Sequence, residues 1–303
     1  TTERLAGLTD IDTLVVFVNS TVDKKTLDAL PHVRAIATMS TGYDHIDLTE
    51  CAKRNITVTN VPSYGENTVA EQAFALLLAL SRKIVTSVDR TRAGDWNLTG
   101  LRGFDLKGKT LGVLGTGRIG QHAIKMASGF EMHVIGYDAF PKPELQQQLH
   151  FTYVPFAEFL RDSDVITVHV PYLPATHHLL NADAFSKMKR GVVLINTARG
   201  AVIDTHALVQ ALDSGIVSAA GLDVLEEEST IKEEKTLLSG VLAKNPDLRT
   251  VFEDHLLQER DNVLITPHNA FNTTEALKRI LDITVENIVG MHQRTAKNVV
   301  HLS

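Results

Sequence analysis

The feature that most constrains this chain is Gly115-Thr116-Gly117-Arg118-Ile119-Gly120, set between an apolar run at 110–114 and a helical pattern at 118–128. A G-x-G-x-x-G that closes a strand and opens a helix requires a βαβ unit. The first glycine makes the tight turn, the second admits a pyrophosphate to the backbone, and the third lets helix pack closely on strand. The helix N-terminus adds free N–H groups and partial positive charge for phosphates. The next strand, at 133–137, delivers Asp138, 18 positions beyond Gly120. An acid at about that spacing accepts from ribose hydroxyls and repels a 2′-phosphate, which favours NAD over NADP. The competing reading is a glycine turn in a flavodoxin-like sheet with no dinucleotide. Strand, turn, helix, strand and acid all in place argue against it.

Apolar runs alternate with helical stretches on both sides of this unit. Strands are expected at 14–18, 33–37 and 56–58 before it, and at 165–170, 192–196, 219–222 and 263–266 after it. Helices are expected at 24–30, 155–161, 182–188 and 205–214. This order predicts an α/β fold of parallel sheets with right-handed crossovers. A long helix is expected over 66–92, with Asn67 or Thr68 as its cap. It is apolar nearly all round, so it must be buried on several sides, as a core helix between domains, a subunit interface, or both. The charged segment 226–262 reads as a partly helical excursion.

A length of 303 residues suggests two domains. Apolar residues make up 44% of the chain and charged residues 22%, enough for two cores and unlike a disordered chain. The formal charge of −6 argues against nucleic acid as a partner. The most apolar stretch, 73–80, is far short of the roughly 20 residues a membrane span needs, so no membrane association is expected. Cys51 is the only cysteine, which fits a reducing cytoplasm. The 13 histidines show no zinc-ligand spacing, so no metal is expected.

Three polar groups recur at strand ends after the fingerprint: Arg199 in Asn196-Thr197-Ala198-Arg199-Gly200, Glu226-Glu227-Glu228 after Gly221-Leu222-Asp223-Val224, and His268 in Thr266-Pro267-His268-Asn269. Ligands of open parallel sheets bind outside the carboxyl ends of strands. There an arginine clamps a carboxylate bidentately, and a histidine with a glutamate partner gives a proton to a carbonyl oxygen. Singly, each residue is more often an ion pair, a structural histidine or a solvated acid. Together, beside a dinucleotide fold, they suit hydride transfer to a 2-keto acid.

These segments, with Ser40-Thr41-Gly42-Tyr43-Asp44-His45-Ile46-Asp47, Asn60-Val61-Pro62, Val69-Ala70-Glu71 and His169-Val170-Pro171, run in the order of the D-isomer-specific 2-hydroxyacid dehydrogenases. The chain resembles that family over nearly its whole length. Arg102-Gly103-Phe104-Asp105-Leu106 and His268-Asn269-Ala270-Phe271 look most like its D-lactate branch. The resemblance implies two Rossmann-like or flavodoxin-like domains with a cleft between them. The substrate domain would be discontinuous, 1–97 and 271–303, around an NAD domain at 98–270. It implies Arg199, Glu228 and His268 as catalytic residues. Glu228 rather than Glu226 or Glu227 follows from the family's spacing after Asp223, although Ser229 replaces the family's usual proline there. It implies Thr68, Gly115, Gly117, Arg118, Ile119, Gly120, Asp138, Val170, Pro171, Thr176, Thr197, Ala198 and Asp223 around the cofactor. Main-chain N–H groups at Thr41 and Gly42 would bind the substrate carboxylate with Arg199 and His268. Met39 stands where the family often has arginine, which argues for an unphosphorylated substrate.

The expected function is thus NAD-dependent interconversion of a small 2-keto acid and its D-2-hydroxy acid, in a cytoplasmic homodimer joined through helix 66–92 and the NAD domain. Glyoxylate or hydroxypyruvate reduction and a non-catalytic, corepressor-like NAD sensor are the alternatives. The first residue is not Met, and the family usually begins with a further strand and helix, so a natural chain longer by some tens of residues is expected.

Overall fold

Apolar residues that run without alternation form strands buried on both faces, and such strands pair in parallel under helices. A computed structural model describes residues 10–18, 20–226 and 248–300. Its chain divides into two compact units, Thr1–Gly65 with Asn272–Ser303, and Glu66–Phe271.

In the smaller unit, β1 (Thr13–Val16), β2 (Ala35–Thr38) and β3 (Thr57–Thr59) form a parallel sheet in the order β1-β2-β3. Helices α1 (Lys24–Asp28) and α2 (Leu48–Lys53) start where Asp23 and Asp47 accept the N–H groups of Thr26 and Glu50. Such caps satisfy helix donors that have no partner within the helix. Leu27, Ile36, Cys51 and Val58 are core residues of this unit.

The larger unit runs α3 (Glu66–Ser81), α4 (Ile84–Arg92), β4 (Thr110–Leu114), α5 (Arg118–Gly129), β5 (His133–Tyr137), α6 (Pro143–Leu149), β6 (Thr152–Tyr153) and α7 (Phe156–Asp162). It continues with β7 (Val165–Val168), α8 (Ala182–Ser186), β8 (Val192–Asn196), α9 (Thr205–Ser214), β9 (Val217–Leu222), α10 (Leu248–Gln258) and β10 (Val263–Ile265). The seven strands are all parallel, in the order β10-β9-β8-β7-β4-β5-β6. Alternate strand residues feed two cores. Leu111, Val113, Val193 and Ile195 join α3 and α5 on one face. Leu114, Ile166, Val168 and Leu194 join α8 and α9 on the other. The order in which strands are added reverses between β4 and β7, the position where doubly wound sheets bind ligands. The last helix, α11 (Thr274–His292), begins at Thr273, whose hydroxyl accepts from Ala276 N, and belongs to the smaller unit.

Three expectations change. The long helix over 66–92 is broken: Lys83 adopts φ +52, a left-handed backbone that separates α3 from α4. Helix α3 starts at Glu66, so neither Asn67 nor Thr68 caps it; Asn67 instead donates to Glu71. The larger compact unit also begins at Glu66 rather than 98. The reason is packing: Ala70, Phe74 and Leu77 of α3 lie in one core with Leu111, Ile124 and Val193. Gly221 is bare where α3 crosses β9, and a Cβ there would come within 2.9 Å of Leu76 Cβ.

Candidate active site

The fingerprint glycines divide their work as the spacing predicts. Gly115 has φ +92, and a side chain there would meet the His169 carbonyl and Val170. Gly117 faces open space, which leaves the backbone accessible. A Cβ on Gly120 would run into the Gly115 carbonyl, so this glycine brings α5 onto β4. Arg118 and Ile119 follow in the first turn of α5, with Arg118 Nη1 3.7 Å from Glu66 Oε1. Asp138 ends the next strand. Its Oδ2 accepts from Thr116 N at 2.8 Å and Thr116 Oγ1 at 3.0 Å, and its Oδ1 from Phe140 N at 2.9 Å. Three of about four acceptor positions on the carboxylate are taken, which leaves one on Oδ1.

Across the switch point, His169 N donates to Leu114 O at 2.7 Å, which places the His169-Val170-Pro171 strand end beside the glycine turn. Burial pushes the His169 imidazole down to about 4. Thr176 closes the following turn, donating to Pro171 O at 2.7 Å and accepting from Leu173 N at 2.8 Å.

Beyond β7, three adjacent strands β8, β9 and β10 end in loops that are tied to one another. Buried Asn196 binds Ala198 N through its Oδ1 at 3.0 Å and the Arg199 carbonyl through its Nδ2 at 2.9 Å. The Asn196 carbonyl accepts from Asp223 N at 2.9 Å. Gly200 is bare because the Leu225 carbonyl and Glu226 N–H lie against it. Asp223, fully buried, accepts from Thr266 Oγ1 at 2.5 Å, Asn269 N at 3.0 Å and Ala270 N at 2.9 Å. Burial pushes its carboxyl above the ordinary range, while those donors and His268 pull it back. His268 sits inside the loop so held, at φ +53, a left-handed backbone that costs a non-glycine residue about 1 kcal/mol. Gln72 of α3 reaches the same loop through Thr266 Oγ1 at 3.3 Å and Asn269 Oδ1 at 3.5 Å.

Of the acidic run, Glu226 is already committed: its Oε1 pairs with His178 Nε2 at 2.5 Å, and its Oε2 accepts from Thr205 N and Oγ1 at 3.2 and 2.8 Å. Glu228 lies outside the described residues, as do Glu227 and most of the 229–262 excursion. Residues 248–258 of that excursion form α10.

In the smaller unit, the Thr41-Gly42 loop spends its acceptors internally. Asn60 Nδ2 donates to the Thr41 carbonyl at 2.8 Å and Ser40 Oγ to the Gly42 carbonyl at 2.6 Å, while Thr41 Oγ1 donates to Val61 O at 2.8 Å. The Thr41 and Gly42 N–H groups make no hydrogen bond among the described residues.

The residues present fit a dinucleotide. The glycine turn is open at Gly117, and the buried Thr197 hydroxyl at the end of β8 has no hydrogen-bond partner among the described residues. A buried polar atom without a partner points to a group that completes it. Thr68, which the resemblance placed near the cofactor, is buried in the first turn of α3. The side chains of Gln72 and Asn196 hold these loops through tertiary contacts, and no spacing in the sequence marks them for that role.

The family model for the NAD binding domain of D-isomer specific 2-hydroxyacid dehydrogenases matches residues 74–270. A glyoxylate reductase of Thermococcus litoralis is 38% identical over 293 residues, covering 94% of this chain and 82% of the relative. The structure is similar to that of D-lactate dehydrogenase from Aquifex aeolicus complexed with NAD and lactic acid. There the TM-score is 0.85 at 36% identity, with 97% of this chain and 86% of that one covered. It is also similar to the pyruvate reductase of Chlamydomonas reinhardtii, with TM-score 0.86, 36% identity and 98% and 88% coverage. The chain belongs to the D-isomer specific 2-hydroxyacid dehydrogenase family. It is an NAD-dependent oxidoreductase of that family, acting on 2-hydroxy and 2-keto acids. Among the described residues no helix is long and apolar enough to cross a membrane.

Proposed function

We propose that this dehydrogenase interconverts a small, unphosphorylated 2-keto acid and its D-2-hydroxy acid, with pyruvate and D-lactate as the pair. The observation that carries the chemistry is the loop bearing His268, clamped by five hydrogen bonds to Asp223 and Gln72 so that its strained backbone persists. The phrases at 102–106 and 268–271 support the lactate branch, as does the likeness to a D-lactate dehydrogenase.

Bound NADH supplies the hydride to the carbonyl carbon. Gly115, Gly117, Arg118, Ile119 and Gly120 would hold its pyrophosphate, and Asp138 would accept from its ribose. Val170, Pro171, Thr176, Thr197, Ala198, Thr68 and Asp223 complete the binding surface. Arg199 clamps the substrate carboxylate, assisted by the N–H groups of Thr41 and Gly42. His268 gives a proton to the carbonyl oxygen in reduction and removes it in oxidation, with Glu228 as its partner. The commitment of Glu226 to His178 and Thr205 supports Glu228 over Glu226.

A second reading is favoured by the curated relatives, of which the Thermococcus litoralis protein is a glyoxylate reductase. NADH absorbance followed with pyruvate, glyoxylate, 2-ketoisocaproate and hydroxypyruvate in parallel tests both. The highest kcat/KM is expected with pyruvate. A decisive preference for glyoxylate establishes the second reading, and turnover of none removes the enzymatic one.

We further infer a cytoplasmic homodimer. The solitary, buried Cys51 supports a reducing compartment. Helix α3 is sealed in its own core, so the interface falls on α4, whose Ile84, Val85 and Val88 are exposed, and on the neighbouring Trp96 and Leu98. Light scattering of the native protein and of Val85→Asp tests this, with loss of the dimer expected in the variant.

A further inference from the structure

The turn between β4 and α5 carries a hydrogen-bond chain that the cofactor reading leaves unused. Thr116 occupies the first variable position of the fingerprint and is buried. Both its N–H and its hydroxyl lie on Asp138 Oδ2. The same hydroxyl is 2.6 Å from Tyr153 Oη, and Tyr153 Oη accepts from Lys142 N at 3.3 Å. A carboxylate only accepts, so the Thr116 hydroxyl must donate to Asp138. Tyr153 must then donate to Thr116. The polarity of the chain is fixed: Lys142 N–H to Tyr153, Tyr153 O–H to Thr116, Thr116 O–H to Asp138. Hydrogen bonds aligned in this way polarise and strengthen one another.

Tyr153 is itself delivered deliberately. It lies on β6, a strand of two residues at the sheet edge. Its N–H is held by Gln146 Oε1 of α6 at 2.7 Å, and its ring stands edge-on to Phe151 at 4.8 Å. With Phe140 N–H on Oδ1, the carboxylate is pinned at both oxygens and cannot turn away from an incoming group.

We propose that Thr116 and Tyr153 are positioning residues that set the preference for NADH over NADPH by immobilising Asp138 with one acceptor position open to a ribose hydroxyl. This rests on Asp138 as the ribose acceptor. A free-swinging carboxylate would relax from a 2′-phosphate, whereas a pinned one presents fixed negative charge to it and a ready acceptor to a hydroxyl.

The test is equilibrium binding of NADH and NADPH to the free protein, read from dinucleotide fluorescence, for wild type, Thr116→Val, Thr116→Ser, Tyr153→Phe and Asp138→Ala. Thr116→Val is expected to lower the ratio of the NADPH to the NADH Kd about fivefold, the scale of one hydrogen bond to a charged group weakened. Tyr153→Phe lowers it by about twofold. Thr116→Ser keeps the wild-type ratio, and Thr116→Val adds nothing to Asp138→Ala, since it acts through that carboxylate. Equal weakening of both dinucleotides by Thr116→Val, or the same effect with and without Asp138, overturns the proposal and leaves the cofactor reading intact. A wild-type protein that binds neither dinucleotide overturns the cofactor reading with it.

Discussion

Thr266 donates its hydroxyl to Asp223 at 2.5 Å, and through this bond the strand end that carries His268 is fastened to the end of β9. Asp223 is fully buried, so each of its donors offsets part of a large desolvation cost. Thr266→Val removes one donor and keeps the shape. It is expected to lower stability to urea by about 1–3 kcal/mol, the cost of under-satisfying a buried polar group. It should also reduce kcat more than it weakens NADH binding. Thr266→Ser should restore most of both. If valine behaves like wild type while serine fails, the methyl group rather than the bond holds the loop.

His268 and Arg199 should separate kinetically. His268→Ala is expected to leave NADH affinity within about twofold while kcat falls 10²–10⁴-fold, roughly the share a general acid supplies. Arg199→Ala should raise the substrate KM as well as lower kcat, and Arg199→Lys should rescue little, because an ammonium lacks the planar fork. An unchanged KM for Arg199→Ala contradicts the clamp.

Stability should depend on pH through His169. Its imidazole is pushed down to about 4 by burial, whereas in the unfolded chain it titrates near 6.5. Between those values the unfolded chain binds a proton that the folded one refuses, so stability rises with pH across the window and is complete above it. At about 1.4 kcal/mol per pH unit, moving from pH 7.5 to 5 removes about 2 kcal/mol. His169→Gln carries no such proton, and its urea midpoint should change less over the same range. Parallel slopes for variant and wild type reject this assignment.

Cys51 should be inert in the native protein. It is buried, and burial first, then neighbouring Asp47, pushes its thiol up to about 11. A thiolate is the reactive form. A chromogenic disulfide reagent should therefore label no thiol in buffer and one per chain in urea. Fast labelling of the folded chain would show that α2 opens readily.

Much of the larger sheet was legible because its central strands β4, β7 and β8 are buried along nearly their whole length and therefore read as unbroken apolar runs. The apolar runs at 110–114, 133–137 and 192–196 coincide with β4, β5 and β8, and 205–214 with α9. Period and caps failed where structure depends on distant contacts. Strand β6 has two residues and no apolar run, and exists through pairing of Thr152 and Tyr153 with β5. The break at Lys83 carries no glycine or proline to announce it. Helices α2 and α6 are too short for a periodic signal. For the site, residue types at strand ends pointed to Arg199, Asp223 and His268, but not to the network joining them. Asn196 and Gln72 work through bonds to loops that only the sheet order makes neighbours.

Gly200 leaves no room for a side chain between the arginine loop and the main chain at Leu225 and Glu226. Together with Asn196 and Asp223, it makes the ends of three strands a single casting. A change of substrate taste cannot then come by nudging Arg199 or His268 independently, since each would drag the others from register. Laboratory libraries aimed at new substrates should therefore vary what surrounds this casting and leave residues 196–200, 223 and 266–270 untouched.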